Sequence, residues 1–271
     1  MLGGGKRWGA IMADESFLRR LVTDLNIGFT FLTRLPLAHR EQIATGELSA
    51  ALWTAPLVGV VVGFVGAGIY WLAQALHLPP LPAAVLAVAA TVLVTGALHE
   101  DGLADVADGF GGGATRERKL DIMRDSRIGT YGVCALIVSF TLRVAALTNL
   151  GDPALVAAAL VTAHAAGRAP LPAFMRLVPP ARADGLSADA GRPPVSSAAV
   201  ALLLGLVALL MVFGFATSML AIVLLAVGFG VLSWLSKRQI GGQTGDVLGA
   251  LEQVSESIVL LVAVAATNTL R

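Results

Sequence analysis

Three acidic residues spaced along one face of a helix form the group in this sequence best suited to chemistry. Asp101, Asp105 and Asp108 stand at positions i, i+4 and i+7, so their carboxylates lie on one side of an α-helix. Clustered like charges repel, and hard oxygen ligands of this kind commonly bind Mg²⁺. The alternative is a solvated helix face, which the apolar residues between the acids disfavour. The spacing therefore predicts a divalent metal site.

Glycines and basic residues follow the acids and suit phosphate. Gly109 and Gly111–Gly113 are expected to break the helix and expose backbone N–H groups. Guanidinium and ammonium groups are donors for phosphate oxygens, and the segment contains Arg116, Arg118, Lys119, Arg124 and Arg127. We expect Arg116, Arg124 and Arg127 to bind a diphosphate next to the metal.

Three residues are candidates for moving a proton within this segment. Asp108 or Asp125 could accept a proton from an attacking hydroxyl, and the sequence does not choose between them. His99 is either a metal ligand or proton carrier, or a structural residue.

A second group of polar residues lies near the C-terminus, in the run Gly241–Asp246 (GGQTGD). Thr244 and Gly245 are predicted to contact the substrate, and Asp246 to reach the same metal site from a second helix. The alternative is a simple turn with a helix N-cap.

The composition indicates an integral membrane protein. Of 271 residues, 56% are hydrophobic and 14% are charged, whereas soluble domains have about 25% charged residues. The 19 basic residues are balanced by 18 acidic ones, so nothing indicates a nucleic-acid partner. The single cysteine, Cys134, excludes an internal disulfide.

The apolar runs predict an all-α, polytopic membrane helical bundle with about seven spans, each of roughly 20 residues. A disordered leader over residues 1–13 precedes one integral membrane catalytic domain, residues 14–271, which starts with an amphipathic surface helix over Phe17–Leu35. The spans are placed at Leu52–Leu76, Leu81–Leu98, Thr130–Leu150, Ala154–Leu177, Ala198–Ala216, Ser218–Leu235 and Val247–Leu270.

The distribution of basic residues predicts the orientation. Alternate loops, at residues 77–80, 150–153 and 214–218, contain no Lys or Arg. The positive-inside rule therefore places the acidic segment at the cytoplasmic face of the cell (inner) membrane. The loop over Val178–Pro194 is either a solvated linker or a lid over the site.

Charged residues also occur inside the predicted spans, where they are costly and often functional. Arg168 is expected to make an inward phosphate contact, whereas Arg143 either snorkels to the surface or belongs to a site. Glu252 and Glu256 enter an apolar helix and need partners. Four glycines, Gly59, Gly63, Gly66 and Gly68, are expected to allow close helix packing.

Taken together, these motifs resemble the cobalamin synthase family, the adenosylcobinamide-GDP ribazoletransferases. The resemblance extends from about Phe29 to about Glu256. It is carried by Phe31–Pro36 (FLTRLP), His99–Gly109 (HEDGLADVADG), Arg116–Lys119 (RERK), Arg124–Thr130 (RDSRIGT) and Gly242–Ala250 (GQTGDVLGA).

The resemblance implies a multi-spanning, Mg²⁺-dependent phosphotransferase of late cobalamin biosynthesis. Such an enzyme joins adenosylcobinamide-GDP to α-ribazole or α-ribazole 5′-phosphate and releases GMP. The expected partners are these two substrates and the lipid bilayer, with a second copy of the chain left open.

Two other functions fit parts of the pattern. The acidic motif is similar to that of CDP-alcohol phosphotransferases, although these lack the RDSRIGT run. A cation-coupled transporter would need charged residues along a path through the midplane, whereas here they crowd one side.

Overall fold

The computed structural model of this protein describes residues 5–37 and 46–269. Within these residues the chain is helical and has no β-sheet, which confirms the predicted all-α class. The helices are α1 (Gly5–Leu32), α2 (Glu47–Ala51), α3 (Ala55–Ala75), α4 (Pro80–Thr95), α5 (Leu98–Gly112), α6 (Arg116–Ile122), α7 (Thr130–Leu150), α8 (Pro153–Arg168), α9 (Leu171–Leu177), α10 (Leu186–Asp189), α11 (Val195–Ile240) and α12 (Gly245–Thr269).

Five stretches are long and apolar enough to cross a membrane, and a sixth is added if the bent pair α4–α5 counts as one span. The five are Glu47–Ala75, Thr130–Leu150, Pro153–Leu177, Val195–Ile240 and Gly245–Thr267. The span predicted at Thr130–Leu150 has these same bounds, and those predicted at Leu52–Leu76, Ala154–Leu177 and Val247–Leu270 differ by a few residues at their ends. The span predicted at Leu81–Leu98 is a candidate only as part of the bent pair, and those at Ala198–Ala216 and Ser218–Leu235 lie in one 46-residue helix. Length and apolarity therefore located most of the spans.

The helix α11 is interrupted at Gly214. It has 46 residues, which at about 1.5 Å per residue exceeds the roughly 30 Å of a hydrocarbon core. Gly214 has φ 68° and ψ −175°, which only glycine adopts without strain. The two halves of α11 correspond to the two predicted spans on either side of residues 214–218.

A sharp corner separates α4 from α5, and no feature of the sequence predicted it. The two helices meet at 90° across Gly96 and Ala97, with φ angles of 65° and 58°. This corner turns the acidic helix away from the direction of α4. It therefore determines where Asp101 and Asp105 lie.

Gly109 and Gly111 do not break the helix, which corrects that prediction, whereas the helix does end at Gly112 and Gly113 is extended, as predicted. The helix α5 continues to Gly112. A side chain at Gly109 would place its Cβ 2.5 Å from Met123 Cγ, and one at Gly111 would come within 2.8 Å of the Tyr131 ring. These glycines therefore let α6 and α7 pack closely on α5 and do not present free N–H groups.

At the N-terminus, α1 begins at Gly5, earlier than the predicted start at Phe17. The predicted leader over residues 1–13 therefore overlaps α1 from Gly5 onward, and residues 1–4 lie outside the described part of the chain. The surface position of this helix and the division into a leader and one domain stay predictions.

The core is built where α3 crosses α8. A Cβ at Gly63 would lie 2.6 Å from Val161 Cα, and one at Gly66 would lie 2.7 Å from a methyl group of Thr91. A Cβ at Gly59 would likewise lie 2.2 Å from the carbonyl oxygen of His164. Gly68, in contrast, has open space around it, so the predicted packing role holds for three of the four glycines.

Replacing Gly63 with Ala is expected to destabilise the fold by about 1–3 kcal/mol, because the α8 backbone must move away. Gly68→Ala is the matched control, since the same methyl group enters open space and alanine favours the helix. Thermal unfolding in detergent measures both. Equal unfolding temperatures for the two variants would show that this close approach is not required.

Candidate active site

Two helices bring four acidic residues together. Asp105 on α5 is half-buried, and Asp101, Asp108 and Asp246 are all close enough to interact electrostatically with its carboxylate. The approach of Asp246 depends on Gly102, because a Cβ there would lie 2.7 Å from the Asp246 carbonyl oxygen. The structure therefore places Asp246, at the start of α12, beside the acidic face of α5.

Asp108 differs from the other three acids because its carboxylate is already engaged. It is buried, and its two oxygens accept hydrogen bonds from Gly129 N (2.7 Å) and Gly132 N (2.9 Å). These N–H groups lie at the start of α7, where they have no partner within the helix itself. Asp108 therefore acts as a cap for α7. Its predicted roles as metal ligand and proton acceptor must compete with these hydrogen bonds.

The remaining carboxylates fit a magnesium ion by their chemistry. Asp101 is exposed, and neither it nor Asp105 forms an ion pair with any residue the structure describes. Thr244 Oγ1 donates to Asp246 Oδ2 at 3.0 Å, which orients that carboxylate. Arg182 lies close enough to Asp246 to interact with its carboxylate electrostatically, whereas Asp101 and Asp105 have no ion pair among the described residues. Mutually repelling hard oxygens with so little basic compensation are a donor set that a divalent cation would stabilise.

Two cavities meet at Asp101. The first, which we call the polar cavity, has a volume of about 480 Å³ and is lined in part by Asp101, Asp105, Arg124 and Asp125. The second, the apolar cavity, has a volume of about 210 Å³. Its polar lining includes His99, Asp101 and Asp246, and its apolar lining includes Phe31, Leu48, Leu52, Leu171, Met175 and Leu248.

The predicted phosphate ligands Arg124 and Arg127 lie at or near the polar cavity, and each has an acidic partner. Arg124 Nη2 is 2.5 Å from Asp184 Oδ2, in the loop over Val178–Pro194. Arg127 Nη2 is 2.6 Å from Asp125 Oδ2. Both arginines must exchange these partners before they can bind phosphate.

The pairing with Arg127 also sets the protonation of Asp125. Hydrogen bonds from the Arg127 side chain and backbone N–H lower the pKa of Asp125 to about 2. Asp125 is therefore ionised at neutral pH, but it is a weak base as long as Arg127 holds it. Its predicted role as proton acceptor requires the release of Arg127.

Arg116 has a different position from the other two arginines. Its Nε donates to Ile240 O at 2.8 Å, and its Nη2 contacts the Ala181 carbonyl oxygen. It thus connects α6 to the end of α11 and to the loop over Val178–Pro194. Phosphate binding by Arg116, as predicted, would require these contacts to break.

Behind the acidic cluster lies a buried network of five charged residues. Arg143 Nη1 is 2.8 Å from Glu100 Oε1, and Arg143 Nε is 2.9 Å from Glu256 Oε1. Arg168 Nη1 is 2.6 Å from Glu252 Oε1. All five side chains are at most 6% exposed. Arg168 is therefore committed to Glu252 and lies inside the bundle, which does not agree with its predicted phosphate contact.

His164 joins this network and completes a group with the spacing of metal ligands. Its Nδ1 is 3.2 Å from Glu256 Oε2, and ligand atoms of His164, Glu252 and Glu256 lie within 4.8 Å of one another. Guanidinium groups already contact these atoms, and Arg168 Nη1 lies 3.0 Å from His164 Nδ1. We therefore interpret the cluster as an ion-pair network.

His99 connects the network to the apolar cavity. Its Nδ1 lies 3.5 Å from Arg168 Nη2, and 3.7 Å from Glu252 Oε2, which is too long for a hydrogen bond. Its Nε2 is buried and has no hydrogen-bond partner among the described residues.

Thr244 and Gly245, which were predicted to contact the substrate, differ in their accessibility. Thr244 is buried and its Oγ1 accepts from Val247 N at 3.4 Å, as an N-cap does. Gly245 lines the apolar cavity, and a Cβ there would meet nothing within 4 Å. Only Gly245 is therefore accessible to a ligand.

The fold and the site define a polytopic α-helical membrane protein with a carboxylate cluster between two cavities. Comparison with known families makes this more specific. The chain belongs to the cobalamin-5-phosphate synthase family, whose model matches residues 24–264.

Curated relatives agree with this family. A protein of Bradyrhizobium diazoefficiens is 54% identical over 92% of this chain and 95% of its own length. Relatives from Mesorhizobium japonicum (50% identical over 93% of this chain and 96% of the relative) and Azorhizobium caulinodans (46%, over 89% and 95%) are similar. All three are named adenosylcobinamide-GDP ribazoletransferase. No solved structure matches the chain.

Proposed function

We propose that this protein is an adenosylcobinamide-GDP ribazoletransferase. It would transfer the adenosylcobinamide-phosphate group to a ribose hydroxyl of α-ribazole or of α-ribazole 5′-phosphate and release GMP. In α-ribazole 5′-phosphate this hydroxyl cannot be the 5′ one, because that oxygen is already esterified. The observation that supports this most directly is the convergence of Asp101, Asp105 and Asp246 beside a cavity lined by Arg124. A diphosphate donor needs acidic metal ligands next to basic side chains.

The proposed cofactor is Mg²⁺, held by Asp101, Asp105 and Asp246. When bound, it would neutralise charge on the diphosphate and on the departing nucleotide. We assign Asp108 to capping α7, because both of its oxygens accept backbone hydrogen bonds.

Arg124 and Arg127 would bind the phosphates of the donor, and Asp125 would accept the proton of the attacking hydroxyl. Arg124 would exchange Asp184 for a phosphate oxygen of the donor. Arg127 would do the same and release Asp125. Because the hydrogen bonds from Arg127 lower the pKa of Asp125, their loss raises that pKa toward its ordinary value. Asp125 then becomes a better acceptor for the proton of the attacking hydroxyl.

The proposed topology has seven spans. This number results when the two halves of α11 are counted separately at Gly214 and the bent pair α4–α5 is counted as one further span. The absence of Lys and Arg from alternate loops supports a cytoplasmic site in the inner membrane.

The first experiment follows product formation by the purified protein in detergent. With adenosylcobinamide-GDP, α-ribazole and Mg²⁺, we expect equal amounts of adenosylcobalamin and GMP, and no product with EDTA. Folded protein that makes no product would contradict the proposal. Competition then tests the alternative, since a CDP-alcohol phosphotransferase would be inhibited by unlabelled CDP-alcohols and this enzyme should not be.

A further inference from the structure

We propose that the apolar cavity binds the aromatic base of the acceptor nucleoside, while the polar cavity binds the phosphates of the donor. This assignment rests on the proposed function and adds the location of each substrate. The chemical class expected in the apolar cavity is a neutral, flat aromatic base that has a ring nitrogen free to accept a hydrogen bond.

The lining of the two cavities separates the substrates by chemistry. The described residues that line the apolar cavity include no Lys or Arg, so none of them supplies the permanent positive charge that binds a phosphate. Apolar side chains from α1, α2, α9 and α12 surround it, which favours a ligand that buries apolar surface. The polar cavity contains Arg124 together with Asp101 and Asp105, as a metal-bound diphosphate requires.

His99 lines the apolar cavity, and its side chain has one buried polar atom without a partner among the described residues. We place the acceptor role on His99 Nδ1, because the guanidinium of Arg168, 3.5 Å away, can only donate and Glu252 Oε2, at 3.7 Å, is too far to accept from it. This assigns the ring proton to Nε2, which is buried without a partner among the described residues. A buried N–H without an acceptor is costly. An acceptor nitrogen on the bound base would satisfy it.

Asp101 is the point where the two substrates would meet, because it lines both cavities. A nucleoside with its base in the apolar cavity would direct its sugar toward Asp101 and Asp246, the polar end of that cavity. The attacking ribose hydroxyl then approaches the phosphate from the side of the acidic cluster. The two reacting groups would then be adjacent, although each substrate occupies its own cavity.

Filling the apolar cavity tests the assignment. Ser187, on α10, lines this cavity, so Ser187→Trp should raise the KM for α-ribazole at least about tenfold. The KM for adenosylcobinamide-GDP should change less than about twofold. Ala188→Trp is the matched control, because Ala188 is the next residue and does not line the cavity. Equal KM values for α-ribazole in both variants would overturn the assignment and leave the proposed reaction intact.

A binding measurement separates this assignment from the reaction itself. Titration calorimetry with α-ribazole alone should show binding to the unmodified chain and to Ala188→Trp, and weaker binding to Ser187→Trp. That result supports the cavity even if turnover is absent. Equal binding by both Trp variants, or none by the unmodified chain, would overturn it.

The role of His99 has its own test. An indole nucleoside analogue, which lacks the acceptor nitrogen, should bind the unmodified chain at least about tenfold more weakly than α-ribazole. His99→Phe should remove this difference, whereas a purely structural histidine would leave it unchanged.

Discussion

Replacement of Asp105 with Asn is expected to lower kcat by about 100-fold or more, because several kcal/mol of transition-state stabilisation depend on an intact metal site. Asp105 lies among Asp101, Asp108 and Asp246, and the substitution keeps the size of the side chain while removing its charge. The variant should also need more Mg²⁺ for half-maximal activity. Initial rates over a Mg²⁺ titration measure both effects.

Asp121→Asn is the matched control for this experiment. Asp121 is exposed on α6, near the site but outside the acidic cluster, so its replacement should leave kcat and the Mg²⁺ requirement nearly unchanged. Both variants should unfold at the temperature of the unmodified protein. Near-normal turnover by Asp105→Asn would remove Asp105 from the metal site.

Replacement of Arg143 with Met is expected to destabilise the protein by about 3–5 kcal/mol, the range found when one partner of a buried ion pair is removed. Glu100 and Glu256 would both lose the guanidinium that lies within 3 Å of them. Stabilities of folded domains are about 5–15 kcal/mol, so much of the protein should aggregate during purification. The yield of monodisperse protein and its unfolding temperature in detergent measure the effect.

A second variant distinguishes lost charge pairing from lost volume. Adding Glu100→Gln to Arg143→Met removes one of the unpaired acids, so the double variant should be more stable than Arg143→Met. Arg127→Met is the exposed counterpart, since its pair with Asp125 lies at the surface, where solvent screens it and its loss should hardly change stability. If Arg143→Met were as stable as Arg127→Met, the buried network would not stabilise the fold.

The spans were predictable because each depends on a local property of the chain. Thr130–Leu150 is bounded by Gly129, in extended conformation, and Gly151, with positive φ, and the residues between them are mostly apolar, with Arg143 as the one charged side chain. Gly214 was recognisable as a break because one apolar run was too long for one span. The corner at Ala97 was not predictable, since alanine rarely adopts a positive φ and only the packing around it requires one.

The sequence allowed us to predict residues of the candidate site, but not which residues they contact in the folded protein. Asp101 and Asp105 were predicted to share a helix face because their spacing is a short-range pattern. Asp246 was predicted to reach the same site because it stands at the start of a second apolar helix. The capping of α7 by Asp108 joins residues more than 20 positions apart in the chain. The pairing of Arg168 with Glu252 likewise depends on how α8 meets α12, so the sequence showed a buried charge without showing what neutralises it.

The buried network also has a consequence for how the protein is made. Arg143 and Arg168 lie on α7 and α8, whereas Glu252 and Glu256 lie on α12, which is synthesised last. An unpaired arginine at the centre of a membrane helix costs about 2.5–3.5 kcal/mol on insertion scales. Until α12 leaves the ribosome, the earlier helices carry two arginines with one buried glutamate, Glu100, to balance them. We therefore expect α7 and α8 to be stably buried only after α12 has been made and its glutamates pair with these arginines.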